Sequence, residues 1–260
     1  MPNTLETISV SNFNEFLEQI ECFQGERDAS WYRGCVDITY KLIPSLFRHA
    51  QKRTIEDLSI LESQIAIRFV QRSQPFLNRT LQNDWDKLFL MQHYGVPTRL
   101  LDWSENPFVA AYFALSGSGQ KLKDAALWMC DPIAWNRSAL QHISFSGGVL
   151  DESSDQLRTY ALGTPIAQMP KQPIMVYGTY NSPRIVAQRG GFALFGHSVD
   201  EMEKVYKLDS FSKGSLRRII IPKDKIIEIR ESLFRKGFTE SVVFPDLDGL
   251  SKEMKRVFGF

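Results

Sequence analysis

The chain has 260 residues, 43% hydrophobic and 23% charged, a balance that excludes a disordered or fibrous polypeptide and allows a substantial buried core. Its 31 basic and 30 acidic residues leave a formal net charge of +1, which argues against a dedicated duplex-binding surface while permitting a local basic patch. The three cysteines, Cys22, Cys35 and Cys130, are scattered without a CxxC pair, so neither a disulfide framework nor a zinc site is expected. The start MPNTLETISV lacks the basic and apolar runs of a signal peptide, and no segment approaches the ~20 apolar residues of a membrane span. The expected setting is a reducing cytoplasm, with no membrane.

In chain order, Asn12 to Phe23 places Phe13, Phe16, Leu17 and Ile20 at helical spacing, with Ser11 as N-cap. Trp31 to Cys35 is short and aromatic and suits a strand end. Thr54 to Phe76 is a long amphipathic helix whose end is marked by Pro75. Asp84 to His93 is a second helix, closed by Gly95 and then Pro97. Asn106-Pro107 starts another: Asn caps, and Pro fits the first turn because its missing N–H is not needed there. Ala126 to Cys130 reads as a buried strand, and Asp131-Pro132 repeats the cap signal. Ser144 to Thr164, rich in Ser, Gly and Asp, is expected to be a mobile insertion. Ile174 to Gly178, Gly191 to Phe195 and Leu216 to Ile221 are further strands; Asp224 to Lys236 and Leu250 to Val257 are helices. Strands and helices without regular βαβ alternation predict an α+β fold, a single domain of mixed or antiparallel sheets with packed helices.

Three stretches concentrate polar chemistry. In "WYRG", Arg33 at a strand end can hold a planar two-oxygen partner such as phosphate, and Gly34 would let a ligand approach; the plainer reading pairs Arg33 with Asp37. In "HYGVPTRLLDWSEN", His93 and Tyr94 end one helix, while Arg99, Asp102, Trp103 and Ser104 precede the Asn106 cap. A phosphate near Ser104 to Asn106 would meet the free N–H groups and dipole of a helix start. The plainer reading makes Arg99 and Asp102 a buried ion pair, but the cluster as a whole favours a site, because buried polar groups are costly unless used. In "AQRGGFALFG", paired glycines beside Gln188 and Arg189 can turn backbone N–H groups toward a ligand, or form an ordinary hairpin. Glu240, after Thr239, is either a site carboxylate or a helix-start acid; Asp246 and Asp248 are read as caps of the last helix. The four histidines lack metal-ligand spacing.

"YRG", "YKLIPSLFR", "QHYGVPTRLLDWSENPFVAAYFA", "AQRGGF" and "VVFPDLDGL" together resemble the FRG domain family over about residues 28 to 251. Residues 1–27 then form a helical lead-in and 252–260 the end of the last helix. More distantly, the order of signals is similar to ADP-ribosyltransferases of the Arg-Ser-Glu type. That resemblance implies an ADP-ribosyltransferase-like core with NAD as substrate, Arg33 as phosphate clamp and Glu240 as catalytic carboxylate. Tyr32, Gly34, His93, Arg99, Asp102, Ser104, Asn106 and Gln188 would surround the ligand, with Tyr94 or Tyr112 stacking the nicotinamide. A carboxylate near the ribose would stabilise the oxocarbenium-like charge. The sequence departs from that pattern: Asp102-Trp103-Ser104 replaces Ser-Thr-Ser, and no second acid or amide stands two before Glu240. The implied activity is transfer of ADP-ribose to an unknown macromolecule or hydrolysis of NAD, in a toxin or anti-phage effector. The alternative is a non-catalytic domain sensing a nucleotide or, less favoured, a nucleic acid.

Overall fold

Alternation along one strand sorts the two faces of the sheet. In Ala125–Cys130 all six residues are buried, Ala125, Leu127 and Met129 in one apolar core and Ala126, Trp128 and Cys130 in the other. A strand covered on both faces belongs in the middle of a sheet. The computed structural model describes residues 2–25, 27–77, 80–117, 122–179 and 182–260. Its strands are β1 (Glu6–Ser9), β2 (Trp31–Cys35), β3 (Leu100–Ser104), β4 (Ala125–Cys130), β5 (Ile174–Tyr177), β6 (Gly190–Leu194) and β7 (Leu216–Ile221). They form one sheet in the order β1-β7-β4-β2-β3-β6-β5, with β1 parallel to β7 and the other pairs antiparallel.

The helices are α1 (Phe13–Gln24), α2 (Ile55–Ser73), α3 (Asp84–His93), α4 (Pro107–Leu115), α5 (Pro132–Ala139), α6 (Pro183–Gln188), α7 (Met202–Val205), α8 (Ile226–Arg235), α9 (Glu240–Val243) and α10 (Leu247–Phe258). One core joins α1, α4 and α8 to the sheet through residues such as Phe16, Phe23, Ala110, Ala114, Ile229 and Leu233. The other gathers Trp31, Trp128 and Trp135 with Leu58 of α2 and Phe89 of α3. The α+β class expected from the sequence holds. Among the described residues no helix is long and apolar enough to cross a membrane.

Helix starts follow the local signals closely. Asn106 accepts the N–H groups of Phe108 and Val109, Asp131 those of Ile133 and Ala134, and Asp246 that of Gly249. At α1 the cap is Asn12, not Ser11; Asn12 takes the N–H groups of Asn14 and Glu15, while Ser11 donates its hydroxyl to Glu15. Residues 144–164 are not a mobile insertion. Leu150, Leu157 and Tyr160 are buried, and Leu150 bridges to Val176 beside β5, so a polar-looking segment is pinned by three apolar anchors. The glycine pair of "QRGGF" opens β6 directly after α6, rather than turning a hairpin, and the space of the Gly191 Cβ is filled by the Trp31 ring. Two strands carried no periodic signal. β1 is a polar edge strand, and β3 is buried at Leu100, Leu101, Trp103 and Ser104, on both faces at once.

One irregularity positions everything that follows. β2 pairs with β4 over all five of its residues, and β3 pairs with β6 over all five of its own. Between β2 and β3 the register holds only Tyr32 opposite Ser104. The sheet is therefore two ribbons joined at one point, and beyond that point they separate.

Candidate functional site

The separation of β2 from β3 opens a cleft of about 620 Å³, within the ~300–1,000 Å³ usual for small-molecule sites. One wall is Tyr32, Arg33 and Gly34 of β2; the facing wall is Asp102, Trp103 and Ser104 of β3. The end of α3 with His93 and Tyr94, one side of α4, and Arg184 and Gln188 of α6 close it, and Arg48 stands at its border.

Arg33 occupies the point where the ladder fails. Its Nη1 donates to the backbone carbonyl of Asp102 at 2.5 Å, supplying a donor where β2 no longer does, and lies 3.8 Å from the Asp102 carboxylate. Its Nε is buried without a partner among the described residues, so part of the guanidinium fork is unused. Arg48 and Arg184 also line the cleft, and neither has a carboxylate partner among the described residues. The Arg184 guanidinium lies 4.9 Å from the centre of the Phe244 ring. Against these three cations the described lining offers one acid, Asp102. Its two carboxylate oxygens each accept from Gln92 Nε2 at 2.9 Å, and Gln92 Oε1 accepts the Thr98 hydroxyl at 2.5 Å. His93 packs edge-on to Tyr94, which is 68% exposed at the rim. Burial, and then the charge of Arg184, lowers the His93 pKa from its ordinary value.

Several expectations are corrected by position. The gap at Gly34 does not admit a ligand: a Cβ there would stand 1.9 Å from the carbonyl oxygen of Ala110 and 2.5 Å from the nitrogen of Ala114, so α4 already fills it. Ser104 lines the cleft, but its hydroxyl donates to the Gln188 carbonyl at 2.6 Å and accepts from the Asn106 N–H at 3.0 Å, clipping β3 to the end of α6. Asn106 lies outside the lining, and its own side chain occupies the first free N–H groups of α4 that were expected to receive a phosphate. Arg99 is 2% exposed and faces away from the cleft, 3.2 Å from Glu62 of α2, with Nη2 donating to the carbonyls of Tyr160 and Ala161. It does not pair with Asp102, because Glu62 and the two carbonyls hold its guanidinium in the core while Gln92 holds the Asp102 carboxylate in the cleft. Nor does Arg33 pair with Asp37, whose carboxyl is held down to about 2 by Lys123 and Thr39.

Tyr112 and Glu240 sit together outside the cleft lining. Tyr112 packs among Phe113, Phe234 and Phe244; burial raises its pKa, and the charge of Glu240 raises it further. Glu240 starts α9 rather than preceding a strand, is 9% exposed, and receives Arg256 Nε of α10 at 2.9 and 3.0 Å on its two oxygens. Gln188 does reach both places: it lines the cleft, and its Nε2 donates to the Val243 carbonyl of α9. The structure thus brings together Tyr32, Arg33, Gly34, His93, Tyr94, Asp102, Ser104 and Gln188, and leaves Arg99, Asn106, Tyr112 and Glu240 outside. It adds Gln92, Arg48 and Arg184. Gln92 and Arg48 lie within the distinctive stretches QHYG and YKLIPSLFR, whereas nothing local marks Arg184. Among the described residues no group of His, Cys, Asp and Glu is arranged to hold a metal ion.

Residues 28–123 match the family model of the FRG domain. That segment supplies Arg33, Arg48, the end of α3 and all of β3, while Arg184, Gln188 and Glu240 lie beyond it. No curated protein and no solved structure matches the chain.

Proposed function

From the FRG-family match of residues 28–123, and from the cleft which that segment borders, we propose that the protein binds a nucleotide through its phosphate groups, with NAD as the dinucleotide. The observation that carries this reading is the convergence of Arg33, Arg48 and Arg184 on one cleft whose described lining contains a single acid. Three guanidinium groups set against one carboxylate favour an anionic occupant with several acceptor oxygens, which a pyrophosphate supplies. Aromatic side chains also border the cleft, Trp103, Phe113 and Phe192 in its lining and Tyr94 at its rim, and suit contact with a base or a nicotinamide ring.

The reaction implied by the more distant resemblance is cleavage of the nicotinamide–ribose bond, with ADP-ribose passing to an acceptor or to water. Arg33 would hold the pyrophosphate and so position the anomeric carbon. Binding without turnover is the second reading, favoured by the pairing of Glu240 with Arg256 away from the cleft. Calorimetric titration with NAD, run beside an assay of nicotinamide release, separates them. Wild type is expected to bind NAD, and Arg33→Ala to weaken binding about 10- to 100-fold, the worth of a charge-assisted hydrogen bond. Nicotinamide release by wild type that disappears in Arg33→Ala identifies an enzyme. Binding without release, in the presence of cell extract as acceptor, identifies a sensor. No binding of NAD, ADP-ribose or ATP at millimolar concentration would rule out the nucleotide reading.

A further inference from the structure

Asp102 is an unusual acid for its surroundings. Its side chain is 60% exposed within a cleft that otherwise presents arginines, yet it is held by an ordered relay that begins in the core. Thr98 is fully buried, and its hydroxyl oxygen accepts the Leu100 N–H at 3.1 Å, which directs the hydroxyl proton to Gln92 Oε1. With its oxygen so engaged, the Gln92 amide has one orientation, and Nε2 must face the Asp102 carboxylate, which it meets at both oxygens. The backbone of the same residue is fixed by Arg33 on the Asp102 carbonyl. An exposed carboxylate is well solvated without such support, so the relay does little for stability and much for position.

The carboxylate is engaged by a single, long ion pair. Arg33 donates to the carbonyl and comes only within 3.8 Å of the carboxylate. A carboxylate has about four acceptor sites, and Gln92 takes one on each oxygen, which leaves two for a ligand. An occupant must then present anionic oxygens to the arginines and hydroxyl donors to Asp102. A ribose bearing phosphate does both, and a carboxylate on a ribose hydroxyl is a recurrent device in dinucleotide sites. We infer that Asp102, positioned by the Thr98–Gln92 relay, is the acceptor for the ribose 2′,3′-diol and makes the cleft selective for ribonucleotides over their deoxy counterparts.

This inference rests on the nucleotide reading above. It is tested by calorimetric titration of wild type, Asp102→Ala and Arg33→Ala with ADP, 2′-deoxy-ADP and 3′-deoxy-ADP, with circular dichroism confirming the fold of each variant. The Asp102 carboxylate is exposed and has Gln92 and Arg33 as its polar partners among the described residues, so Asp102→Ala is expected to fold normally. Wild type is expected to bind ADP about 10- to 100-fold more tightly than at least one deoxy analogue, the range of a hydrogen bond to a charged group. In Asp102→Ala the three affinities converge near that of the weaker analogue. In Arg33→Ala all three affinities fall, because the phosphates they share lose a donor. Equal binding of ADP and both analogues by wild type overturns the inference and leaves the nucleotide reading standing, as does a preference that survives Asp102→Ala. Failure of ADP, NAD and ATP alike to bind overturns both.

Discussion

His93 shows how a single side chain in this cleft answers to its neighbours. Burial strips water from the imidazolium, and Arg184 repels it, so its pKa in the folded protein lies below the ordinary 6.5. Two signs follow. Below about pH 6.5 the unfolded chain binds the proton more readily than the folded one, so stability is lost as pH falls through that value. A bound pyrophosphate would offset Arg184 and raise the pKa, so binding takes up a proton. NAD, whose phosphates do not titrate in this range, is therefore expected to bind more tightly at pH 5.5 than at pH 7.5, and His93→Gln to flatten the difference. A pH-independent affinity in wild type would place His93 away from the anion. At this scale the sequence was informative about residue type and silent about direction. Arg33 and Arg99 look equally suited to a phosphate, yet Arg33 reaches the opened edge between β2 and β3 while Arg99 turns into the body of the protein toward Glu62. The resemblance to ADP-ribosyltransferases put Glu240 in the cleft, but the partner that claims it, Arg256, is 16 residues away on another helix. The corrected site belongs to Asp102, which was legible as part of a polar cluster, whereas its relay through Gln92 and Thr98 was not.

Among the elements, α4 and β2 form the closest approach that bears on the site. Gly34 exists for that approach: the carbonyl of Ala110 and the nitrogen of Ala114 stand where its Cβ would be. Both are helix backbone atoms, so nothing flexible can yield, and a methyl group must push α4 off the strand. Gly34→Ala is expected to cost at least about 1–3 kcal/mol, seen in calorimetry as a Tm lower by several degrees; an unchanged Tm would show that α4 is not seated on β2 in this way. Helix starts were the most legible elements, since a cap is a contact between residues two or three apart: Asn106, Asp131 and Asp246 all serve as the sequence suggests. Strand β3 was the least legible. Its Leu-Leu-Asp-Trp-Ser run is buried on both faces and so lacks the alternation that marks a half-buried strand.

Across the whole molecule, the buried pair of Arg99 and Glu62 ties three distant parts together. Glu62 comes from α2, Arg99 from the residue before β3, and the carbonyls of Tyr160 and Ala161 from the segment that follows α5. Burial raises the Glu62 pKa, and Arg99 opposes that rise. Removing one member strands the other: Arg99→Met is expected to cost about 3–5 kcal/mol in urea unfolding, while the double change Glu62→Leu, Arg99→Met should recover most of it. A single variant of unaltered stability would show that the pair carries no structural weight. The amino-acid sequence by itself determined the α+β class, most helix boundaries and the stretches that carry the polar chemistry, because periodicity, caps and breakers act within a few residues. Only the tertiary structure decided that β2 and β3 part after Tyr32 and Ser104, that Arg48 and Arg184 join Arg33 in lining the opening, and that Asp102 rather than Glu240 is the acid in that lining. Strand order and the partner of a buried charge depend on residues far apart in the chain, and no local pattern encodes which of several equally suitable partners the packed core will bring within reach.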